Sequence, residues 1–484
     1  MVFNVKKMII FCAYLLFVFI LCIISFSLSG DVYRSLKNLG IICVIELLGF
    51  SYANTKMNGR FLNFSTVFII VLFVFNFGQL MINTFFTSIY SHVRFLLLLP
   101  PQDALYGFKW INLSFNIICL GICLTGTLID RVSRDDVRYG NLDYIKIAKK
   151  IILFTFPVKV VIDLLCVYIS ITSGGEVARA WLNESPNVLL YYGKISLVGF
   201  GLLIIALKEF PAKQMHVFVF AESYILIMML SGIRSENVGY VVVLLLVYLL
   251  SKKKKISLLF SLFYCLIGVI VLAFIIAVGE FRTISNKSFS SFIEIFNQAL
   301  TEKNVILSLF DTCGDTGYTA LCVITKWLPQ YQPSYGASYG GGIFAVLPNI
   351  PKVFTLPGKI TEATYFALKL QEYGTLSKDY TNIGGSLIGE LFFNFGLKGG
   401  VVFASIVGVL IGLINKRFLF ALKENPFELI WALPFMFATI YWVRNYFGGG
   451  VREAVWGWFV AYLFLRYSKK QKGLRERTNK EKLI

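Results

Sequence analysis

The feature that most constrains this chain is the repeated occurrence of apolar stretches long enough to cross a lipid bilayer as α-helices. Hydrophobic residues make up 57% of the sequence, and the mean hydropathy of +0.71 is that of a protein with many spans. The alternation typical of β-barrel strands is absent, so we predict an all-α polytopic fold. About twelve transmembrane helices are predicted, at residues 8–28, 39–54, 62–82, 109–130, 150–172, 189–207, 214–231, 237–251, 256–278, 399–415, 428–443 and 453–467.

Basic residues concentrate in every second loop, which predicts an orientation by the positive-inside rule. Both termini are predicted to be cytoplasmic, with a basic tail at residues 468–484. Because the net charge of +19 lies at membrane borders, we interpret it as an orientation signal near anionic lipid and predict no nucleic-acid partner. The basic groups before the tail are Arg131, Arg134, Arg138, Lys146, Lys149, Lys150, Lys208, Lys213, Lys252 to Lys255, Lys416, Arg417 and Lys423.

One long segment, residues 279–398, interrupts the series of apolar stretches. It follows nine predicted helices in residues 1–278 and precedes three in residues 399–467. Between residues 279 and 385 it carries eight Lys or Arg and eight Asp or Glu, a balance typical of a translocated segment. We therefore predict a large periplasmic or extracytoplasmic insert, and we expect any chemistry to occur there.

Ionisable residues in the middle of predicted spans are costly and need a reason. Lys159 and Asp163 are four residues apart on one helical face, so we predict a neutralising pair. Glu46 and Glu222 have no such neighbour in sequence. For these two, a partner on another helix or protonation is the structural interpretation, and a role in transport is the alternative.

Arginines at the outer membrane border are the strongest functional signal. Arg234 stands in SGIRSENVGY before a span, Arg282 follows the next span in GEFR, and Arg444 and Arg452 flank glycines in RNYFGGGVRE. The two intervening spans are predicted to form a hairpin that would bring Arg234 beside Arg282, and the glycines are predicted to form a flexible hinge. A guanidinium binds oxyanions in a bidentate way and stays charged, so these four arginines predict a lipid-linked phosphate or diphosphate as ligand. Charge placed at the lipid surface is the alternative for each one.

Tyrosines and glycines mark the middle of the insert, in PQYQPSYGASYGGG. Aromatic faces stack on sugar rings, so we predict a glycan groove formed by Tyr335 and Tyr339, with Glu390 of GGSLIGELFFNFG as a further glycan contact. A tyrosine belt at the membrane interface is the alternative. Cys313 and Cys322 lie in the insert either as a disulfide or as free thiols. No P-loop, HExxH or CxxC motif occurs, so neither a metal nor a cofactor is predicted.

Several motifs occur together over roughly residues 195–415: GIRSEN before a span, GEFR after the following one, YGGGIFAVLPNIPKVF in the insert, and IGGSLIGELFFNFGLKGG leading back to the membrane. With these motifs and about twelve spans, the chain resembles the O-antigen polymerase family, Wzy. Some members carry an outer-loop Arg followed by Gly after ten intervening residues. None of the candidate arginines in this chain has that spacing.

The resemblance implies inverting, metal-independent glycosyl transfer on the outer face of the bacterial inner membrane. The implied substrates are oligosaccharide repeat units on undecaprenyl diphosphate, joined into O-antigen or capsule. Membrane lipid and a chain-length regulator protein are the other implied partners. No nucleotide sugar is needed in this scheme.

The resemblance also implies roles for the candidate residues. Arginines at the lipid border would stabilise the charge of the departing diphosphate. A carboxylate near the acceptor hydroxyl would act as general base, with Glu280 as first choice and Glu236 or Asp311 as substitutes. The implied assignment is catalytic for Arg234, Arg282 and Glu280, and lipid-diphosphate binding for Arg444 and Arg452.

Two other functions compete with this interpretation. A polysaccharide ligase also discharges a lipid diphosphate, but ligases often use a histidine in the large outer loop, and the insert contains none. A flippase or other secondary transporter should show repeated halves and short loops throughout. The 120-residue insert and the lack of an evident repeat argue against transport.

Overall fold

The computed structural model describes residues 4–86, 93–128, 141–173, 187–229, 234–252, 258–281, 289–301, 304–347 and 385–481. Within these ranges the regular structure is helical, with no extended strand, which confirms the all-α prediction for the described residues. The α-helices are α1 (Val5–Ser27), α2 (Val32–Asn58), α3 (Phe64–Phe85), α4 (Arg94–Leu98), α5 (Pro101–Thr127), α6 (Asn141–Ser173), α7 (Asn187–Ala206), α8 (Pro211–Met228), α9 (Arg234–Ser251), α10 (Leu258–Phe281), α11 (Phe289–Thr301), α12 (Val305–Cys322), α13 (Ala337–Ala345), α14 (Leu387–Lys423), α15 (Leu429–Arg444) and α16 (Phe447–Glu481). A π-helical turn at Val323–Trp327 extends α12, and a 3₁₀ turn at Pro426–Glu428 precedes α15.

Seven helical segments of the described chain are long and apolar enough to cross a membrane. Each of the twelve predicted stretches overlaps one of the helices, so the positions of the apolar helices were predictable from hydropathy. The number of true spans and their orientation remain predictions. The seven segments are Val5–Ser27, Val32–Asn58, Phe64–Phe85, Pro101–Thr127, Asp143–Ser170, Leu387–Lys423 and Pro426–Arg444.

Polar residues cap several helices at the positions where the apolar runs begin. Asp31 accepts a hydrogen bond from the backbone N–H of Tyr33 at 3.0 Å, and Asn63 accepts one from that of Thr66 at 3.1 Å. These side chains satisfy N–H groups that have no partner inside their own helix. Pro101 opens α5, where its missing N–H costs nothing.

Hydrogen bonds from backbone and side-chain groups place the helix ends in two groups. At the end that holds Asn4, its N–H donates to the carbonyl of Thr127 at 3.0 Å, and Lys416 donates to the carbonyl of Leu128 at 2.6 Å. We call this the Asn4 end. The starts of α14 and α16 and the last residue of α15, Arg444, lie at the opposite end, which we call the Glu390 end.

Glycines allow two pairs of helices to pack with their backbones in contact. Gly121 of α5 and Gly408 of α14 face each other, and a Cβ built on Gly121 would lie 2.6 Å from the carbonyl oxygen of Ser405. Gly78 of α3 and Gly314 of α12 meet in the same way. Part of the 279–398 segment therefore packs lengthwise along α3. Small residues give this close approach in helix packing within membranes.

The predicted pair of Lys159 and Asp163 is confirmed. The two side chains form an ion pair on α6 with an Nζ–Oδ2 distance of 2.8 Å, and both are largely buried. Tyr224 of α8 donates a further hydrogen bond to Asp163 at 2.6 Å. Glu46 has a partner on another helix, because Asn112 of α5 donates to its carboxylate at 3.3 Å. These contacts account for Lys159, Asp163 and one carboxylate oxygen of Glu46. Among the described residues, Oε1 of the buried Glu222 has no hydrogen-bond partner.

Removing one member of the α6 pair should destabilise the protein more than removing both charges. Asp163→Asn leaves the buried Lys159 ammonium without its counter-charge, a change that costs about 3–5 kcal/mol in buried pairs. Adding Lys159→Met to the same chain removes that charge, while the amide introduced by Asp163→Asn still accepts a hydrogen bond from Tyr224. We expect the single variant to melt at a lower temperature in detergent and the double variant to recover. A double variant no more stable than the single one would contradict this account.

The two cysteines of the insert are thiols that form no disulfide. Cys313 and Cys322 lie nine residues apart on the helix that ends at Cys322, which separates them by about 13 Å along the axis. A disulfide requires Cα atoms within roughly 7 Å of each other. Of the two alternatives, the disulfide is therefore wrong and the pair of thiols is correct.

Candidate functional site

At the Glu390 end, the start of α14 contacts both α3 and the residue that follows α15. Ser386 caps this helix, because its Oγ accepts from the backbone N–H of Gly389 at 3.2 Å. The same hydroxyl donates to Oδ1 of Asn76 on α3 at 3.3 Å. Gly385 precedes the cap and is approached so closely by the carbonyl of Asn445 that a Cβ would overlap it. Thus α3, α14 and the end of α15 meet at one point.

Glu390 lies in the first turn of α14 and is completely buried. Its Oε2 accepts from the indole Nε1 of Trp442 at 2.7 Å and from the backbone N–H of Phe447 at 2.9 Å. Its Oε1 accepts from the hydroxyl of Ser338 on α13 at 2.8 Å. Every one of these donors belongs to the protein. Because Glu390 is buried and its oxygens accept from protein donors, the geometry favours a structural role for the carboxylate over the predicted contact with a glycan.

The two predicted glycan-binding tyrosines lie in different environments. Tyr339 stacks on Phe395 with ring centroids 5.6 Å apart and meets Phe447 edge-on at 5.0 Å. Burial raises the pKa of Tyr339, and the neighbouring Glu390 carboxylate adds to the shift. Tyr335 is 78% exposed and has a left-handed backbone with φ of 48°. A bulky residue seldom adopts this conformation. Of the two, Tyr335 has the exposed ring, and its stacking on a sugar stays a prediction.

Arg444 ends α15 and contacts α3, the helix along which α12 also packs. Its guanidinium carbon lies 5.9 Å from the ring centroid of Phe75 on α3. One turn further along α3, the Gln79 amide donates to Oδ1 of Asp311 at 2.7 Å and lies 3.5 Å from Oδ1 of Asp315. Phe75 and Gln79 share a helical face. The cation and the two acids of α12 therefore lie over successive turns of one helix.

Arg452 lies on α16 next to a buried charge pair. Glu453 accepts a short hydrogen bond from the hydroxyl of Tyr240 on α9, and its Oε2 lies 3.6 Å from Nζ of Lys194 on α7. Three helices are thus joined one residue from Arg452. This arrangement fixes α16, and with it Arg452, against the helix that begins at Arg234.

The backbone of Arg234 lies at the Glu390 end, level with Arg444. Gly239 of α9 packs on Ile440 of α15, and Gly201 contacts both Leu244 and Leu433, so α9 and α15 run antiparallel. Arg234 begins α9 five residues before Gly239, or about 7.5 Å along the axis. Arg444 follows Ile440 by four residues, or about 6 Å.

Two other predicted residues belong to the next hairpin. Glu280 is half-buried near the end of α10, which packs against α11 and α12. Arg282 follows α10 and lies outside the described residues, so its predicted place beside Arg234 stays a prediction. Glu236 lies on α9, and its side chain is not among those that the structure describes.

Sequence reasoning missed the residues that hold these groups in place. Ser338 and Asn394 exchange two hydrogen bonds, at 2.7 and 3.3 Å, across 56 positions of sequence. Trp442 was missed as well, although it lies two residues before Arg444. Its indole N–H can only donate, so the need for an acceptor such as Glu390 was the one available signal. Gln79 lies in an apolar run that gives no functional signal.

The three glycines after Phe447 are helical and packed, so the predicted flexible hinge is wrong.

The model of the O-antigen polysaccharide polymerase Wzy family matches residues 8–472 of the 484. The chain belongs to this Wzy family. The match runs from α1 into α16 and includes every candidate site residue, so the family predicted from the motifs is confirmed over a wider range. No curated protein and no solved structure matches the chain.

Membership in the Wzy family has direct consequences. Wzy polymerases are glycosyltransferase-like enzymes that act on lipid-linked oligosaccharides in the membrane. This member is accordingly a multi-pass membrane protein of polysaccharide biosynthesis, as its long apolar helices also indicate. The Glu390 end holds Arg444, the backbone of Arg234, and the exposed Tyr335, and Arg452 lies in the early part of α16.

Proposed function

We propose that this protein joins undecaprenyl-diphosphate-linked oligosaccharide repeat units into a surface polysaccharide, and that the reaction occurs at the Glu390 end of the helix bundle. The transfer is inverting and uses no metal. The donor is the growing glycan on its lipid diphosphate, and the acceptor is a single repeat unit on the same carrier. A chain-length regulator remains a predicted partner.

The placement of Arg444 carries this proposal. Its guanidinium lies over α3 one turn from Asp311 and Asp315, at the end of the bundle where α9 begins with Arg234. A cation and a carboxylate placed over successive turns of one helix suit a reaction in which one group stabilises a departing diphosphate while the other takes a proton. A chain matched by the Wzy family model over residues 8–472 is expected to perform such a transfer.

The proposed step forms one bond and breaks another. The acceptor hydroxyl attacks the anomeric carbon of the donor glycan, and the bond from that carbon to the diphosphate oxygen breaks. The hydroxyl proton passes to the carboxylate, and undecaprenyl diphosphate leaves with the bonding electron pair. Arg444, together with Arg234, Arg282 and Arg452, stabilises the charge that develops on the leaving diphosphate. Tyr335 stacks on the glycan from the surface of the insert.

The charge distribution supports an outer location for the Glu390 end. Lys416 lies at the Asn4 end, close to Leu128, which shortly precedes the basic 131–150 loop. Since basic groups mark the cytoplasmic side, the Asn4 end faces the cytoplasm and the Glu390 end faces outward. Repeat units already carried to the outer leaflet on undecaprenyl diphosphate would reach this end of the bundle from the lipid.

A deletion strain tests the proposal. Its surface polysaccharide is separated by size, with and without the gene supplied in trans. We expect only single repeat units on the acceptor in the deletion strain, and the full ladder on complementation. An unchanged ladder would contradict the proposal. Long polymer left on the lipid carrier would instead indicate a ligase, and repeat units retained inside would indicate a flippase.

Asp311 and Glu280 can be distinguished as the general base. Asp311 lies beside the elements that carry Arg444, whereas Glu280 lies on the α10 hairpin, so we expect Asp311→Asn to have the larger effect. Loss of a general base reduces turnover by about 10²–10⁴-fold. Polymer formation is measured at matched protein abundance, with Thr312→Ala on the same turn as the control. A large loss in Glu280→Gln and none in Asp311→Asn would restore Glu280 as the base.

A further inference from the structure

The buried carboxylate of Glu390 binds donors on both sides of Arg444 in the sequence. Trp442 precedes Arg444 by two residues and Phe447 follows it by three, and both donate to Oε2 of Glu390, at 2.7 and 2.9 Å. Only Asn445 and Tyr446 separate α15 from α16. One oxygen atom therefore holds both ends of the short turn that carries the arginine.

A carboxylate suits this position for two physical reasons. Phe447 is the first residue of α16, so its backbone N–H has no acceptor inside that helix. A negative charge at a helix N-terminus is stabilised by the helix dipole. Glu390 thus caps α16 from another helix. Hydrogen bonds to an ionised acceptor are also stronger than those between neutral groups.

The other carboxylate oxygen extends the contact to the insert. Oε1 of Glu390 accepts from Ser338 of α13, and Asn394, one turn further on α14, donates to the same hydroxyl at 2.7 Å. Near the middle of α13, Gly342 is close enough to Gly448 of α16 that a Cβ would lie 2.8 Å from its Cα. The position of α13 against the Arg444 turn is therefore set by the same network.

We propose that Glu390 is a positioning residue that fixes the turn carrying Arg444 and docks α13 of the insert against it. This inference rests on the proposed function for its effect on polymer synthesis. The contacts themselves are independent of that function. Glu390 is completely buried and its oxygens are occupied by protein donors, so it acts through Arg444 and not on the substrate.

Two substitutions at this position distinguish positioning from chemistry. In Glu390→Gln, the amide oxygen can accept from Trp442 and Phe447 while the amide nitrogen donates to Ser338. In Glu390→Leu, these donors lose their acceptor. Misplacement of a catalytic group by about 1 Å costs about a hundredfold in rate, so we expect that loss in the leucine variant and most of the activity in the glutamine variant.

Hydrogen exchange read by mass spectrometry reports on the contacts without any substrate. We expect faster exchange in the peptide covering residues 442–450 of Glu390→Leu, with protection of α5 unchanged, and nearly wild-type exchange in Glu390→Gln. If the leucine variant fails to fold, Trp442→Phe and Ser338→Ala each remove one donor and should give smaller increases at the same peptide.

Two results would overturn the inference. One is a Glu390→Gln variant that is inactive while residues 442–450 stay fully protected, because the carboxylate would then act chemically. The other is unchanged exchange in the variants that lack a donor or the acceptor. If the protein forms no polymer at all, the proposed function fails, and the exchange data alone decide whether Glu390 holds the turn.

Discussion

Replacing Arg444 by alanine should reduce polymer synthesis by about a hundredfold or more, the loss seen when one group that stabilises developing negative charge is removed. The guanidinium lies over Phe75, one turn of α3 from the Asp311 carboxylate, at the point where Ser386 starts α14. No other described side chain combines these contacts with a permanent positive charge. We expect the variant to accumulate normally in the membrane, because Arg444 is half-buried and packs on one aromatic ring.

Two further variants make this result specific. Arg444→Lys keeps the charge but loses the planar fork that binds a diphosphate through two hydrogen bonds, so it should recover only part of the activity. Arg417→Ala removes an exposed arginine that pairs with Glu428 at 3.3 Å near the Asn4 end, and it should leave the polymer ladder unchanged. A full ladder in Arg444→Ala at matched abundance would show that this guanidinium is not part of the reaction.

Substitution of Gly408 by valine should abolish the folded protein. Gly408 of α14 faces Gly121 of α5, and any Cβ at position 408 would overlap the carbonyl oxygen of Ile118. Backbone atoms cannot rotate away as a side chain can, so the two helices must separate along their contact. Overpacking in a well-packed core costs about 3 kcal/mol or more when the neighbour cannot move.

Gly268 provides the matched control. It lies within an apolar helix, α10, and a Cβ built there would have no atom of the described residues within 4 Å. Gly268→Val should therefore give the same yield and the same monodisperse elution in detergent as the wild type, whereas Gly408→Val should aggregate or be degraded. Equal yields for the two variants would mean that α5 and α14 do not pack through these glycines.

The helices were largely predictable because lipid imposes a simple rule on apolar stretches. A run such as residues 64–85 can satisfy its backbone in the bilayer only as a helix, so hydropathy located it within a few residues. Helix α12 shows where this rule stops. Because α12 carries Asp311 and Asp315, its sequence resembles that of a soluble insert. In the structure, however, α12 packs along α3 through Gly78 and Gly314. Close packing by glycine leaves no trace in a hydropathy pattern.

The residues of the candidate site were predictable by type, but their arrangement was not. Arg444 and Tyr335 could be selected because a charge or an aromatic group at a membrane border has a chemical use. The burial of Glu390 could not, since its donors lie 52 and 57 positions away in the chain. The contact between Gln79 and Asp311 spans 232 positions. Contacts between residues so far apart in the chain depend on how the helices pack, and the sequence of one segment alone does not predict that packing.

Reconstitution tests the central claim most directly. The purified protein is placed in lipid vesicles with undecaprenyl-diphosphate-linked repeat units isolated from the deletion strain, and products are separated by size while released undecaprenyl diphosphate is counted. We predict a ladder of polymers, with one undecaprenyl diphosphate released for each linkage formed. Repeat units that remain single, or that cross the bilayer without being joined, would contradict the account.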